Sequence, residues 1–469
     1  MKIKFLGAAQ EVTGSKHLII TDEGKKILLD CGMYQGKGDE TDAHNRNLGF
    51  IPQEIDYIIL THAHIDHSGL IPYVYKQPDF KASIYCTSAT RNLCSIMLPD
   101  SGYIQENDIH WYNKKLARQG KQIVEPIYDH KIATESLKNF VSVSYNREIM
   151  LEPGIFLKFT NTGHMLGSAV ANLTIYQNGK AVKIAYTGDI GRKNPRILLP
   201  PSPFPQCDYL IMESTYGDRV HPNLEDSEGE LLRIINHTCV KKRGKLIIPS
   251  FSVGRTQEIV YSLNNFFNEN KLPNTNIYID SPLSVKATDI FRVNRDCFNE
   301  EVLDVLDRDI DIFGFDKLRY IKDINESKRL NRIKDPCVII SASGMAEAGR
   351  VKHHIANSID NHKNTILIVG YCTPISLGAR LQEEGLKEIS IFGETHHVNA
   401  EIKKIETFSG HADYTEMIDF IGCQDKTQIK QLFLVHGEEK SQQFFKKKLK
   451  NAGFQNVTNP QKGSEVEIK

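Results

Sequence analysis

The sequence lacks features that define several large classes of protein. Its nine cysteines are odd in number and include no CxxC pair, which argues against a disulfide framework or a cysteine-type zinc site and indicates reduced thiols. No apolar run approaches the roughly 20 residues of a membrane span, and the start, MKIKFLGAAQ, does not fit a signal peptide. The 58 basic residues balance the 58 acidic ones, which argues against a generally basic nucleic-acid-binding surface. We therefore expect a cytoplasmic protein that does not associate with membranes.

Short strand-like runs in the first and last parts of the chain share one property. Each is rich in β-branched or aromatic residues and delivers a His or an Asp at or just beyond its end. The six delivered residues are Asp30, His62, His164, Asp189, His411 and His436. This regularity predicts one site that is assembled from many strands.

The middle of the chain contains nearly continuous apolar runs, among them KLIIPSFSVGR, NIYIDSP and CVIISASGM, with helical stretches between them. Such alternation is typical of a parallel sheet covered on both faces, which binds ligands beyond the carboxyl ends of its strands. A chain of 469 residues is also too long for one ordinary core. We predict a first domain made of 1–207 and 385–469, and a second α/β domain, 208–384, inserted into it.

The stretch YIILTHAHIDHSGL crowds three histidines and an aspartate into one turn after an apolar run. His62 and His64 point to the same side of an extended chain, and Asp66 and His67 follow at the start of a helix. Two metal ions accommodate these residues if other segments add ligands. The residues that complete the two sets are His164, Asp189 and His411, with His436 as the rival of His411. Imidazole and carboxylate without thiolate suit Zn²⁺ and also fit Mn²⁺ or Fe.

Turns that follow strands of the middle segment indicate phosphate binding. Arg255 begins a helix directly after a strand and a glycine, so backbone N–H groups and a guanidinium can meet one phosphate. Ser343, Gly344 and Arg350 repeat this arrangement. Tyr371 is either a base-stacking residue or a core tyrosine.

Other polar residues have ordinary interpretations. We expect His17 in a loop and both His353 and His354 on the surface of a helix. The lysine run FFKKKLKNAGF is interpreted as the solvated face of a terminal helix.

The motifs together resemble a known family. HAHIDH matches the HxHxDH signature of the metallo-β-lactamase fold, and LLDCG, GHMLGSA and YTGD resemble its companion motifs in the expected order. MESTYGDR, PSFSVGRTQE, IDSPLSVKAT, SASGMAEAGR and FSGHAD resemble the signatures of the β-CASP group. The resemblance covers essentially the whole chain. It implies an α/β protein, a metallo-β-lactamase αββα sandwich with an inserted β-CASP α/β domain, similar to RNA-processing nucleases of bacteria and archaea and to the nuclease subunit of the cleavage and polyadenylation specificity factor.

The resemblance also implies roles for individual residues. It assigns seven metal ligands, with one zinc ion held by His62, His64 and His164, the other by Asp66, His67 and His411, and both bridged by Asp189. It prefers His411 to His436, which becomes a supporting residue together with Asp30. Asp66 and Glu213 are expected to contribute to catalysis. Eukaryotic relatives pair the acidic residue that corresponds to Glu213 with a histidine, and at the position expected for that histidine this chain has Arg380.

We therefore predict a ribonuclease with two zinc ions that hydrolyses phosphodiester bonds of single-stranded RNA through a hydroxide shared by the ions. The RNA is expected in a cleft between the two domains, and a homodimer is possible. Cleavage within the strand and cleavage from an end both stay open. The alternatives are a DNA nuclease of the same family, a small-molecule ester or thioester hydrolase, and a catalytically silent RNA-binding scaffold.

Overall fold

The computed structural model describes residues 1–36, 40–221, 225–370, 372–373, 375–405 and 410–469. The chain forms two compact units. Unit 1 combines Met1–Val220 with His411–Lys469, and unit 2 comprises His221–Gly410. No helix within these described ranges is both long and apolar enough to cross a membrane.

The first part of unit 1 is rich in strands. They are β1 (Lys2–Gly7), β2 (Lys16–Ile20), β3 (Lys26–Leu29), β4 (Tyr57–Ile59), β5 (Ser83–Cys86), β6 (Phe140–Ser142), β7 (Glu148–Glu152), β8 (Ile155–Asn161), β9 (Ala169–Gln177), β10 (Lys180–Tyr186) and β11 (Tyr209–Glu213). The helices are α1 (Thr41–Arg46), α2 (Ile65–Ser68), α3 (Ile71–Tyr75), α4 (Ser88–Arg118) and α5 (His130–Ser136). Side chains of Thr87 and Asp129 accept backbone hydrogen bonds at the starts of α4 and α5, as N-cap residues do.

Strands and helices alternate in unit 2. The strands are β12 (Lys245–Pro249), β13 (Asn276–Ile279), β14 (Leu318–Tyr320), β15 (Cys337–Ser341), β16 (Thr365–Ile368), β17 (Glu388–Ile391), β18 (Glu394–His397) and β19 (Glu401–Lys404). The helices are α6 (Glu225–Ile235), α7 (Arg255–Asn268), α8 (Pro282–Val293), α9 (Glu300–Leu306), α10 (Ile324–Arg332), α11 (Arg350–Ala356) and α12 (Leu377–Arg380). The chain then returns to unit 1 through α13 (Tyr414–Ile421), β20 (Gln431–Val435), α14 (Glu439–Asn451), β21 (Val457–Thr458) and β22 (Glu465–Glu467).

Unit 1 is a sandwich of two mixed sheets, with strand orders β22-β1-β2-β3-β4-β5-β6 and β21-β20-β11-β10-β9-β8-β7. Alternate residues of both sheets, such as Phe5, Leu29 and Phe159, meet in one fully buried core between them. Helices α13 and α14 cover the outer face of the second sheet, where Met417 and Phe445 are buried. Helix α4 packs beside β6 of the first sheet. This arrangement is the αββα sandwich expected from the sequence.

Unit 2 contains a sheet in the order β14-β13-β15-β12-β16-β19. Every pairing in this sheet is parallel, as the continuous apolar runs predict. Strands β17 and β18 form a separate antiparallel hairpin. Core residues such as Ile247 and Ile339 pack against Val351 and Ile355 of α11.

The unit boundaries differ from 207/208 and 384/385. Strand β11 lies between β10 and β20 in a sheet of unit 1, so 208–220 lies with the sandwich. Strand β19 pairs with β16 of unit 2, so 385–405 lies with the inserted sheet.

Candidate metal centre

The candidate site lies at the carboxyl ends of two sets of parallel strands in unit 1. In one sheet, β3 and β4 run parallel and lead to Asp30 and His62. In the other, β10, β11 and β20 run parallel and lead to Asp189, Glu213 and His436. Because parallel strands end at the same edge of a sheet, residues that are far apart in the sequence meet there.

A first group of possible ligands consists of His62, His64, His164 and Asp189. The Nε2 atoms of His62 and His164 lie 3.4 and 3.5 Å from Asp189 Oδ2. His64 Nδ1 lies 3.2 Å from His164 Nε2. Two nitrogens bound to one tetrahedral zinc at about 2.0–2.1 Å lie about 3.3–3.4 Å apart. The spacing of this group therefore suits a single ion.

A second group consists of Asp66, His67 and His436. His436 Nε2 lies 3.1 Å from His67 Nε2 and 3.4 Å from Asp66 Oδ2. Asp189 Oδ1 lies 3.3 Å from both His67 Nε2 and His436 Nδ1. Each oxygen of Asp189 thus faces one group. The resemblance assigned His411 to this position, whereas in the structure His436 lies there because β20 ends beside β11. His411 belongs to a third group of possible ligands, with Asp189 and Glu213.

His411 lies instead beside Glu213, the last residue of β11. The distance from His411 Nδ1 to Glu213 Oε1 is 3.3 Å, and to Asp189 Oδ2 it is 3.9 Å. Glu213 is fully buried and accepts the Ile190 N–H at 2.5 Å. Burial favours the neutral ring of His411, but Glu213 and Asp189 outweigh it and raise its pKa to about 9. Glu213 therefore has a histidine partner, whereas the sequence offered Arg380, which lies at the end of α12 in unit 2.

Asp30, the predicted supporting residue, lies beneath the candidate ligands and is fully buried. It has a left-handed backbone with φ of 56°, a conformation that concentrates at functional sites. Its carboxylate accepts hydrogen bonds from the Thr61 hydroxyl at 2.8 Å, from Tyr186 at 2.8 Å and from His67 Nδ1 at 2.6 Å. A bond at Nδ1 leaves Nε2 of His67 as the atom that faces the second group. Thr61 and Tyr186 were not singled out from the sequence, since neither residue type marks a metal site.

The electrostatics of the site favour neutral rings in the first group. Burial lowers the pKa of His62, His64 and His164, with that of His64 falling to about 3. Burial acts on His67 in the same direction, but the carboxylate of Asp189 reverses the effect and raises its pKa. Neutral imidazole has the free lone pair that metal binding requires.

Buried polar atoms that lack a hydrogen-bond partner indicate whether the site has room for a metal ion. Among the described residues, His62 Nε2 and Asp189 Oδ1 are buried and have no hydrogen-bond partner. Buried polar atoms are normally paired, and both of these atoms point into the candidate centre at ligand spacing. Nitrogen and oxygen donors of this kind suit zinc. The residues present therefore fit a metal ion in each group.

The predicted substrate-binding residues lie in unit 2. Arg255 begins α7 and forms an ion pair with Glu258. Ser343 and Gly344 occupy the turn after β15, where a Cβ at Gly344 would lie 2.8 Å from a phenylalanine ring. Tyr371 lies outside the described residues.

Arg350 belongs to a buried cluster that the sequence did not reveal. Its Nη1 donates to Asp280 Oδ1 at 2.6 Å, and Nη2 donates to the Lys322 carbonyl at 2.8 Å. His354 Nε2 lies 2.6 Å from Asp280 Oδ2, which also accepts the Ser327 hydroxyl at 2.5 Å. The prediction that His354 lies on the surface is wrong, because the residue is fully buried. The four-residue spacing of Arg350 and His354, which puts both on one helix face, was the available signal.

His17 is also placed differently from its prediction. It lies within β2 and is fully buried between Phe5 and Tyr186. Its apolar neighbours in the sequence, HLII, indicate a strand and not a loop. Burial lowers its pKa to about 3.

Two groups of histidines on either side of one aspartate are ligand sets of the kind that metal-dependent hydrolases use. Comparison with known proteins identifies the family. Residues 15–85 match the metallo-β-lactamase superfamily, 256–381 match the β-CASP domain, and 395–460 match the Zn-dependent metallo-hydrolase RNA specificity domain. The chain belongs to the β-CASP family of metallo-β-lactamase enzymes and is a metal-dependent hydrolase.

Relatives from three groups of organisms are similar over most of the chain. Ribonuclease TTHA0252 of Thermus thermophilus is 32% identical over 439 residues, which cover 94% of each protein. Transcription termination factor FttA of Methanocaldococcus jannaschii is 32% identical over 94% of this chain and 67% of its own length. Cleavage and polyadenylation specificity factor 73 of Drosophila melanogaster is 29% identical over 94% of this chain and 60% of its own length.

Proposed function

We propose that the protein is a zinc-dependent ribonuclease that hydrolyses phosphodiester bonds of single-stranded RNA. The observation that carries this proposal is Asp189, whose two oxygens each face one group of ligand-type side chains at 3.3–3.5 Å. Relatives named as a ribonuclease and as a cleavage and polyadenylation factor favour RNA as the substrate.

The metal ligands are assigned to two ions that share Asp189. His62, His64 and His164 would hold one ion, and Asp66, His67 and His436 would hold the other. This assignment replaces His411 with His436, since His436 lies within 3.4 Å of Asp66. When bound, a pair of zinc ions neutralises charge on the phosphate and lowers the pKa of an attacking water toward neutrality.

Protein side chains supply the remaining chemistry. Glu213 holds His411 through Nδ1, which fixes the direction of the opposite ring atom, Nε2. A proton at Nε2 passes to the departing 3′ oxygen of the RNA, the task of a general acid. Asp30 orients His67 through Nδ1, as carboxylates do for metal-binding histidines.

The RNA backbone is bound in part by unit 2. The guanidinium of Arg255 and the turn at Ser343 and Gly344 are assigned to phosphates. Arg255 and Arg350 are both already paired, with Glu258 and with Asp280, so each has to share its guanidinium between that carboxylate and a phosphate.

Incubation with end-labelled single-stranded RNA tests the proposal. Matching DNA and a small carboxylic ester are run beside it, with zinc, with a chelator, and with zinc restored after the chelator. Cleavage of RNA that follows the zinc supports the proposal, and the product ladder separates internal from terminal attack. Preference for DNA or hydrolysis of the ester alone contradicts it.

A further inference from the structure

A strip of aromatic and basic side chains in unit 1 has no part in the metal centre. We call it the α14 strip, and its members are Tyr216, Arg219, Tyr414, Phe444, Lys447 and Lys448. Three separate segments contribute to it, namely the turn after β11, the start of α13 and the exposed side of α14. Its formation is therefore a property of the folded unit and not of one lysine-rich stretch.

The strip begins beside the proposed general acid. The Tyr216 ring lies edge-on to His411, with centroids 5.7 Å apart. The Tyr216 ring is buried, and the Arg219 guanidinium lies 4.9 Å from its centroid. The Arg219 side chain is half exposed and also pairs with Asp218, with 3.2 Å between Nε and Oδ1. One end of the strip is thus next to the reacting centre.

The other end of the strip lies on α14. The rings of Tyr414 and Phe444 lie 5.8 Å apart, and Lys448 Nζ lies 5.1 Å from the centroid of each. Phe444 is 40% exposed, although the opposite side of the helix buries Phe445 and Leu449 completely. The exposed ring of Phe444 beside the Lys448 ammonium group places an apolar face and a positive charge together on the surface.

A shallow hollow continues the strip along the helix. It is lined by Glu439, Lys440, Gln443, Phe444 and Lys447. Lys440, Phe444, Lys447 and Lys448 share one side of α14, because residues three and four apart are neighbours on a helix. Glu438 and Glu439 stand at the start of the helix, and the three lysines on this side outnumber them.

We infer that the α14 strip binds single-stranded RNA that extends beyond the metal centre, an inference that rests on the proposed function. The lysines and Arg219 meet phosphates, and the exposed ring of Phe444 stacks on a base, the combination by which single strands are bound without sequence preference. A polyanion fits this surface better than a protein partner, since its charge is positive while the whole chain has a formal net charge of zero.

The test compares two double variants of the full-length enzyme. K447A/K448A removes two charges from the strip. K180A/K183A removes the same charge from exposed residues near the start of β10, the opposite end of that strand from Asp189. Melting temperature and zinc content of both variants should match those of the original enzyme.

The readout is the enzyme concentration that half-saturates single-turnover cleavage, measured at several salt concentrations. One RNA has about 4 nucleotides and the other about 16, the range of single-strand site sizes. For the long RNA, K447A/K448A should raise the half-saturating concentration about tenfold and reduce the salt slope by about 1.4, as loss of two phosphate contacts predicts. K180A/K183A should change the half-saturating concentration for the long RNA less than twofold. For the short RNA, the half-saturating concentrations of the two variants should differ much less than for the long RNA.

Phe444→Leu separates stacking from charge. It retains an apolar side chain but loses the aromatic ring. For the long RNA it should raise the half-saturating enzyme concentration about fivefold and leave the salt slope unchanged. The inference is overturned if K447A/K448A behaves like K180A/K183A, as it would if the strip served a protein partner or only solvent. If the original enzyme cleaves RNA in that case, the strip alone is rejected, whereas absence of any RNA cleavage rejects the proposed function as well.

Discussion

Asp189 in unit 1 and Asp280 in unit 2 are both buried aspartates that follow a parallel strand, but their surroundings differ. Asp280 accepts close hydrogen bonds from Ser327, His354 and Arg350 at 2.5–2.6 Å. Asp189 has histidine nitrogens at 3.3–3.5 Å, and within the described part of the chain its Oδ1 has no hydrogen-bond partner.

Residue types alone therefore do not distinguish a metal centre from a structural cluster. The carboxylate of Asp280 accepts direct hydrogen bonds from its neighbours, and these bonds compensate its negative charge. The wider spacing around Asp189 is what ligands of a common ion adopt. Variants of the two clusters should therefore fail in different ways, one through metal content and the other through stability.

The largest effect is expected for Asp189→Ala. Because each oxygen faces one ligand group, the change should reduce zinc content in both groups and bring RNA cleavage to the assay background. Zinc is measured by elemental analysis of purified protein. Asp419→Ala, an exposed change in the same unit, serves as the control, and full activity of Asp189→Ala would refute the shared site.

A second pair of variants tests which histidine of unit 1 is a metal ligand and which is the general acid. His436→Ala should lose about one zinc equivalent together with activity, since it removes a ligand of the second ion. His411→Ala should retain zinc while turnover falls about 10²–10⁴-fold, the usual contribution of a general acid. The reverse pattern would restore His411 as the ligand.

Asp280→Ala should act on stability. Removal of the carboxylate leaves His354 and Arg350 without their partner, and breaking a buried pair of this kind costs about 3–5 kcal/mol. Urea unfolding followed with a probe in unit 2 measures the effect, while zinc content should stay unchanged. The control is Asp316→Ala, whose side chain is 80% exposed. Equal unfolding curves would show that the cluster contributes little.

The smallest effect is expected for Arg380→Ala. Glu213 has its partner in His411, so turnover should stay within about threefold, or about 0.6 kcal/mol, of the original enzyme. A loss as large as that of His411→Ala would return Arg380 to the role of leaving-group residue.

Much of the fold was predictable because local patterns agreed with the final structure. Continuous apolar runs predicted the parallel sheet of unit 2, and the runs that lead to Asp30, His62 and Asp189 do end at one edge of the sandwich. The boundaries were not predictable in the same way, because strands β11 and β19 are assigned by their partners, which no local pattern reveals.

The site was also hard to predict in full, because the sequence does not show which strands pair with each other. His411 and His436 both follow strand-like runs, and the sequence does not show which one lies within reach of Asp66. The pairing of β20 with β11 decides this in favour of His436. The sequence also does not show where a side chain points. Arg350 was predicted to bind phosphate, but its guanidinium donates to Asp280 inside unit 2. The homodimer and the cytoplasmic location stay predictions.

The division of unit 1 into two separated stretches of chain has a consequence for biosynthesis. Unit 2 is one uninterrupted stretch, 221–410, and can fold while the ribosome is still adding the residues behind it. His411 is made directly after unit 2, whereas His436 follows 26 residues after the end of unit 2, about 1–5 s later at about 5–20 residues per second. Until β20 pairs with β11, the second ligand set proposed here lacks His436. Its assembly therefore depends on residues that are made after unit 2.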